Sequence, residues 1–325
     1  MTKNRIVLAL IATLLLATGA VAYVIVAARR TAGAAPAGVV ALDHTRGLLI
    51  RSTADGPGYG RLAVMSTSGS RTTTSLTCAR VYYSGTNGVC LRPSKEAPGT
   101  FEVAVLDEHA GVRRTLPLNG VPSRARTSPS GKMVAWTVFV AGDSYNGGRF
   151  STRSGILNTA TKDVVATLET FHVTLDGKPY KKADINYWGI TFTKDDNRFY
   201  ATMSTAGKRY LVAGDIATKS VRTLHDNVEC PSLSSDGTRL AYKKRVSSDP
   251  AHMWRLTVLD LATMTETPLA ETRNVDDQAA WRDDRTVVYG VPRDARHSDV
   301  WAVPADGSGK PTIAVRDAES PASLR

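Results

Sequence analysis

The amino-acid sequence predicts an all-β fold: a six-bladed β-propeller closed by its N- and C-terminal strands and preceded by one N-terminal transmembrane helix. Three observations carry this prediction. Short apolar, β-rich runs recur in groups of four, and equivalent tight turns lie about 41 to 48 residues apart over most of the chain. No long helical periodicity follows residue 30. The last residues, Glu319-Ser320-Pro321-Ala322-Ser323-Leu324, repeat the start of the clearest copy, Glu229-Cys230-Pro231-Ser232-Leu233-Ser234. Four-stranded units at this period, each unable to bury both faces alone, stack into a propeller.

The N-terminus comes first. Ile6 to Ala28 is a run of apolar and small residues with no charge, long enough to cross a hydrocarbon core of about 30 Å, which takes roughly 20 residues. Lys3 and Arg5 precede it and Arg29 and Arg30 follow it. The α-amino group adds a further positive charge before the run, which favours residues 1–5 in the cytoplasm and the body outside. The competing reading is a cleaved signal peptide, because Ala20-Val21-Ala22 fits the small-x-small cleavage rule. Both readings put the body outside the cytoplasm, and the continuation through Val24-Ile25-Val26 favours an uncleaved, single-pass anchor in the cell membrane. The expected organisation is therefore 1–5 cytoplasmic, 6–28 anchor or signal peptide, 29–42 flexible linker and 43–325 propeller. Small residues in Thr31–Val39 support the linker.

The copies then run in order. Copy one supplies three strands, Gly47–Ser52, Arg61–Thr67 and Arg71–Thr77, and lacks the innermost. Copy two spans Cys78–Leu118 and copy three Arg124–Leu168, turning at Ser128-Pro129-Ser130-Gly131. Copy four starts at Tyr187 after an insert, Glu169–Asn186, with its own Asp176-Gly177 hairpin signal. Copy five is Glu229–Leu269, turning at Ser235-Asp236-Gly237, where Asp bonds its own backbone and Gly accepts positive φ. Copy six is Gln278–Val315. The C-terminal strand is expected to pair with Gly47–Ser52, completing the first blade and removing two open sheet edges.

Copies five and six, through SLSSDGTRLAYKK, TVLDLATMTE and SDVWAVPADGSG, resemble the WD40-like repeats of TolB-type propellers. NVECPSLSSDGTRLAYKKR and TRNVDDQAAW further resemble the membrane-linked TolB-like proteins of actinobacteria. The resemblance is good over about residues 120–325 and weak over 43–118. It implies an extracytoplasmic propeller that binds other molecules. TolB carries an α/β domain before its propeller, and residues 31–46 are too short for one, so no functional residue is carried over. Related repeats precede hydrolase domains in prolyl-oligopeptidase-like enzymes, whereas here the chain is expected to end with the propeller.

Chemistry is sparse. The net charge of +11 is spread without a dense basic block or interleaved aromatic platforms, so nucleic acid is not an expected partner. There is no Gly-x-Ser-x-Gly nucleophile elbow. Gly307-Ser308-Gly309-Lys310 lacks the rest of a phosphate loop and reads as a turn. The six histidines are scattered without metal-ligand spacing, so neither a metal nor another cofactor is expected. Asp195-Asp196 and Asp283-Asp284 fall at turns. The five tryptophans fall in strands, where blade-to-blade packing is their expected role. Cys230 begins a blade and reads as a small buried residue. A disulfide between Cys78 and Cys90 is chemically permitted outside the cytoplasm. A turn at Gly85–Gly88, however, would put Tyr83 opposite Cys90, and the bond would then need a displaced first strand.

The remaining candidates cluster on one face. Loops entering the innermost strands contribute Arg126, Asn186, Asn227, Glu229, Arg273, Asp276, Asp277 and Glu319, and loops between second and third strands add Asp143, Tyr145, Asn146 and Arg149. Such a rim of carboxylates, guanidinium groups and amides suits a polar ligand or a peptide. The expectation is a non-catalytic, membrane-tethered binding or scaffold module with a cell-envelope protein or peptide partner. The alternative is an envelope hydrolase or lyase acting on a glycan or peptide at that face.

Overall fold

The computed structural model describes residues 40–42, 46–140 and 151–324. The expected anchor (6–28), most of the linker, and the loop carrying Asp143, Tyr145, Asn146 and Arg149 lie outside the described residues. Among the described residues no helix is long and apolar enough to cross a membrane.

Among the described residues, alternating apolar runs separated by Gly and Asp turns fold into 26 strands. Blade one takes β1 (Gly47–Ser52), β2 (Arg61–Ser66) and β3 (Arg71–Thr77). Blade two is β4 (Arg80–Ser84), β5 (Asn87–Pro93), β6 (Phe101–Leu106) and β7 (Val112–Leu118). Blade three is β8 (Val121–Thr127), β9 (Met133–Val140), β10 (Ser151–Asn158) and β11 (Val164–Val165). The insert forms a hairpin, β12 (His172–Leu175) and β13 (Lys178–Tyr180). Blade four is β14 (Asn186–Phe192), β15 (Arg198–Thr205), β16 (Lys208–Asp215) and β17 (Ser220–Asp226). Blade five is β18 (Glu229–Leu233), β19 (Arg239–Arg245), β20 (Trp254–Asp260) and β21 (Glu266–Pro268). Blade six is β22 (Ala280–Asp283), β23 (Thr286–Pro292), β24 (Ser298–Pro304) and β25 (Thr312–Val315). The last strand is β26 (Ala318–Leu324).

The ring closes as the terminal repeat requires. β26 lies innermost in blade one and pairs antiparallel with β1, with Gly47 opposite Leu324 and Arg51 opposite Glu319. Ala322 and Leu324 are buried in the cluster that joins blades one and two, and Ala318 in the cluster that joins blades one and six. The insert enlarges blade four to six strands, because β12 runs parallel to β17 beyond its outer edge. Its turn residues Asp176 and Gly177 both take positive φ, 49° and 78°, as a two-residue hairpin requires.

The repeated Glu-Cys-Pro and Glu-Ser-Pro sequences are bulges. Cys230 and Ser320 sit at φ 51° and 52°, and Gly189 of blade four at 66°, each beside an interruption of its innermost ladder. A bulge puts extra residues on one strand and bends it. At Gly189 a Cβ would stand 2.6 Å from the Cys230 Cα, so only glycine fits between blades four and five.

Two boundaries differ from the sequence reading. Val40 and Leu42 are buried in the core shared by blades one and two, and the Leu42 amide donates to the Glu108 carbonyl at 2.7 Å, so the packed body begins before residue 43. In blade two the turn is tighter than expected. Ser84 pairs with Asn87, which puts Val81 rather than Tyr83 opposite Cys90. Ala79 continues the pairing through a 2.6 Å bond to the Leu91 carbonyl. That register brings Cys78 within 5.4 Å of Cys90, Cα to Cα, and the two are joined as a disulfide without displacement of β4. Cys230 is a free, buried thiol.

Candidate binding site

Each innermost strand runs from one face of the ring to the other. Its incoming loop and the loop between second and third strands share the upper face. Its outgoing turn lies on the lower face. The two faces have different chemistry.

On the upper face the expected acids are present but engaged. Glu229 is buried and ion-paired with Arg209, with the Lys243 ammonium at 3.9 Å. Burial pushes its carboxyl above the usual range, and Lys243 and Arg209 offset only part of that. Asp276 pairs with the same Lys243 and lies 3.6 Å from Arg124. Desolvation disfavours its charge, but Lys243 and Arg124 outweigh it and hold the carboxyl below the usual range. Lys243 is buried and also lies 4.7 Å from the centre of the Trp254 ring. Asp277 accepts from the amides of Gln278 at 2.9 Å and Gly290 at 3.0 Å. Glu319 takes Arg51 at 2.9 Å and Arg80 at 3.7 Å, joining blades one and two.

The expected amides and guanidinium are likewise structural. Asn186 accepts from the Thr152 amide at 3.0 Å and donates to the Asp184 carbonyl at 3.1 Å, tying blade three to blade four. Asn227, at φ 56°, bonds both backbone groups of Arg245 and so imitates a strand partner. Arg273 pairs with Glu271 and stacks 3.7 Å over the Trp301 ring. The structure thus brings Glu229, Asp276 and Asp277 together near Arg124, while Asn186, Asn227, Arg273 and Glu319 serve separate joints between strands and blades.

Arg126 is the exception, and its expected place is corrected. The sequence analysis starts copy three at Arg124 and places Arg126 in the loop entering the innermost strand. In fact β8 already begins at Val121, so Arg126 is the last residue but one of the strand, near the lower face. It is 4% exposed. Its Nη2 reaches across the axis to the Ala279 carbonyl of blade six at 3.0 Å, and its guanidinium carbon lies 4.1 Å from the centre of the Tyr82 ring. Gln278 crosses beside it, donating to the Pro231 carbonyl at 3.1 Å and the Ile190 carbonyl at 3.5 Å. These are the residues that follow the left-handed positions 230 and 189, so two of the bulges supply the acceptors. The void between Arg124, Arg126, Ile190 and Gln278 has no room for a water, and the axis is blocked there.

Below this plug the axis opens into a chamber of about 630 Å³ to which all six blades contribute. Tyr82, Phe192, Tyr200, Leu233 and Trp281 give it an aromatic and apolar wall. Arg126 and Lys194 give it positive charge, Arg198 is paired with Asp195 at 2.5 Å, and no carboxylate is among its lining residues. The turns around its mouth are cross-linked. The Thr86 amide donates to the Ser130 carbonyl at 3.3 Å, the Ser130 hydroxyl to Asp196 at 2.7 Å, and the Ser323 hydroxyl to the Arg282 carbonyl at 2.9 Å. Asp195 and Asp283 cap their own turns, as their positions suggested. Among the described residues no group of three His, Cys, Asp or Glu gathers as metal ligands.

This chamber was missed in the sequence because the blades give it between one and six residues each, in groups some 40 positions apart. The available signal was the aromatic or apolar residue near the lower end of innermost strands: Tyr82, Phe192, Leu233 and Trp281.

No protein-family model matches the sequence, and no curated protein matches it. Solved structures do. The propeller superposes on TolB from Acinetobacter baumannii with a TM-score of 0.61 at 17% identity, covering 88% of this chain and 68% of that one. It superposes on a chain of the nidogen/laminin complex with a TM-score of 0.58 at 11% identity, covering 86% and 98%. At these identities the likeness is one of fold: the chain is a six-bladed β-propeller similar in fold to TolB.

Proposed function

We propose that this protein is a non-catalytic, membrane-tethered extracytoplasmic propeller that binds a polypeptide partner in the cell envelope, and that the lower chamber receives the partner. The observation that carries the reading is the contrast between the faces. The upper acids are consumed by Lys243, Arg124, Arg209, Arg51 and Arg80, whereas the chamber has a preformed aromatic wall and, at its base, the buried Arg126 with no carboxylate partner among the described residues. The lining also carries Thr127, Thr191, Thr193, Ser234 and Ser235, and a concave site that sets polar groups beside aromatic ones can hold both the side chains and the backbone of a polypeptide. The nidogen/laminin chain, of similar fold, comes from a protein–protein complex, which supports the class of activity. The tether supports the orientation. Leu42 docks against Glu108, in the turn between β6 and β7 on the lower side. Residues 29–39 reach at most about 40 Å when extended. An anchored propeller would therefore hold the chamber toward the membrane.

The test places a photo-crosslinking residue at Leu233 or Ser323 in the chamber, or at Asp317 on the upper face, in the membrane-bound full chain. A discrete adduct from the chamber positions, lost in a Phe192→Ala/Trp281→Ala background, is expected. Adducts from Asp317 alone would overturn the assignment of the face. Release of the protein into the soluble fraction with residues 1–30 intact would overturn the tether.

A further inference from the structure

Resting on the reading of the chamber as a polypeptide site, we infer that it recognises a free carboxyl terminus, held by Arg126, with an apolar or aromatic last side chain against the chamber wall. Arg126 is the only fully buried cation of the lining, and among the described residues it makes a single hydrogen bond, to Ala279. Its Nε has no partner, and among the described residues no carboxylate lies within ion-pair distance of it. Thr127 beside it also lines the chamber and has a buried hydroxyl without a partner. A guanidinium taken out of water without an anion is costly, and the stacked Tyr82 ring offsets only part of the loss. A carboxylate is the complement. It accepts from the planar fork and from a hydroxyl together, and the pairing strengthens where water is excluded.

The shape argues for a chain end over an internal segment. Arg126 and Gln278 block the axis, so the chamber is blind. An internal segment would have to enter and turn back inside about 630 Å³, whereas a terminus enters once and stops with its charge at the base. Phe192, Leu233 and Trp281 then offer the last side chain an apolar, aromatic wall. Lys194 near the mouth adds long-range attraction for the approaching anion.

The test is calorimetric titration of the detergent-solubilised full chain with N-acetyl-Ala-Ala-Leu-Phe as the free acid, the same peptide as its C-terminal amide, and 3-phenylpropionate. The acid is expected to bind at least tenfold more tightly than the amide, and 3-phenylpropionate more weakly than the acid. In Arg126→Gln, acid and amide should bind alike, with folding checked by thermal melting. If Arg126→Gln does not fold, the acid–amide comparison on the unaltered protein still decides. Equal binding of acid and amide there would overturn the carboxylate inference and leave the chamber as a polypeptide site. Binding of 3-phenylpropionate as tightly as the peptide would overturn the polypeptide source. No binding of either peptide at millimolar concentration would overturn the inference, and the crosslinking above would then decide whether the chamber reading falls with it.

Discussion

The upper and lower ends of one axis use the same innermost strands to opposite effect. Above, Glu229, Asp276 and Glu319 meet Arg209, Lys243, Arg124, Arg51 and Arg80 within and between blades, and charge is spent on holding the ring together. Below, the buried Arg126 has no anion in reach among the described residues and lies beside an aromatic wall. A carboxylate-rich face looks functional in a sequence, but paired carboxylates have little left to offer a ligand. An unpaired buried cation, invisible in the sequence, is the stronger pointer to a site.

The largest way to break the contrast is to remove what both faces share. Deleting residues 318–325 takes away β26, its ladder to β1, the Glu319 ion pairs above and Ser323 at the chamber mouth below. Each lost backbone bond costs about 0.5–1.5 kcal/mol net, against a total stability of roughly 5–15 kcal/mol. A melting temperature lower by about 10 °C or more, with aggregation through the exposed β1 edge, is expected in differential scanning calorimetry and light scattering. A truncated chain that melts like the intact one and stays monomeric would refute closure by this strand.

The plug between the faces comes next. Gln278→Leu keeps the volume but strands the carbonyls of Ile190 and Pro231. A loss of about 1–3 kcal/mol in chemical denaturation is expected, the cost of leaving buried acceptors unsatisfied. An unchanged midpoint would show that the bulges do not depend on that side chain.

Much of this architecture was legible in the sequence. Asp236-Gly237 and Asp176-Gly177 name their turns because Gly237, Asp176 and Gly177 take positive φ and Asp236 accepts from the Thr238 amide at 3.0 Å. The kinship of ECPSLS and ESPASL marked the closing strand, and its physical basis is the left-handed bulge at Cys230 and Ser320. What stayed hidden depended on register or on distant residues meeting. A tighter turn after Ser84 shifted Cys90 from Tyr83 to Val81 and brought Cys78 within bonding reach. Starting β8 three residues early moved Arg126 from the upper rim to the chamber. Acids could be counted in the sequence, but Lys243, buried beneath two of them, could not be assigned as their partner.

A third charged cluster sharpens the comparison through pH. On the flank between blades four and five, Glu266 receives Tyr242 and Lys244, with His225 at 3.0 Å. Desolvation opposes its charge, but the bonds from Lys244, Tyr242 and His225 dominate and bring its carboxyl from 4.5 down to about 2. A folded value below the unfolded one means that its stabilisation is present above pH 4.5 and is lost as pH falls from 4.5 toward 2. Glu266→Gln should therefore cost roughly 1–2 kcal/mol at pH 7, discounted for partial exposure, with the gap to the unaltered protein closing below pH 4. Denaturation series across that range check it, and a gap independent of pH would remove the electrostatic explanation.

The smallest expected effect falls on Asp276, one of the rim carboxylates that the sequence offers as a candidate site. Asp276 has two cations beside it, yet its side chain is 66% exposed, so water already screens much of the attraction. Exposed ion pairs contribute about 0–1 kcal/mol. Lys243 keeps Glu229 at 3.9 Å and the Trp254 ring when Asp276 becomes Asn, so the buried ammonium is not left alone. Asp276→Asn should accordingly shift stability by less than about 1 kcal/mol and leave binding of the free-acid peptide unchanged, since the plug separates the faces. A large loss of peptide affinity in this variant, with the melting temperature preserved, would show that the upper face takes part in recognition and that the two ends of the axis are not functionally separate.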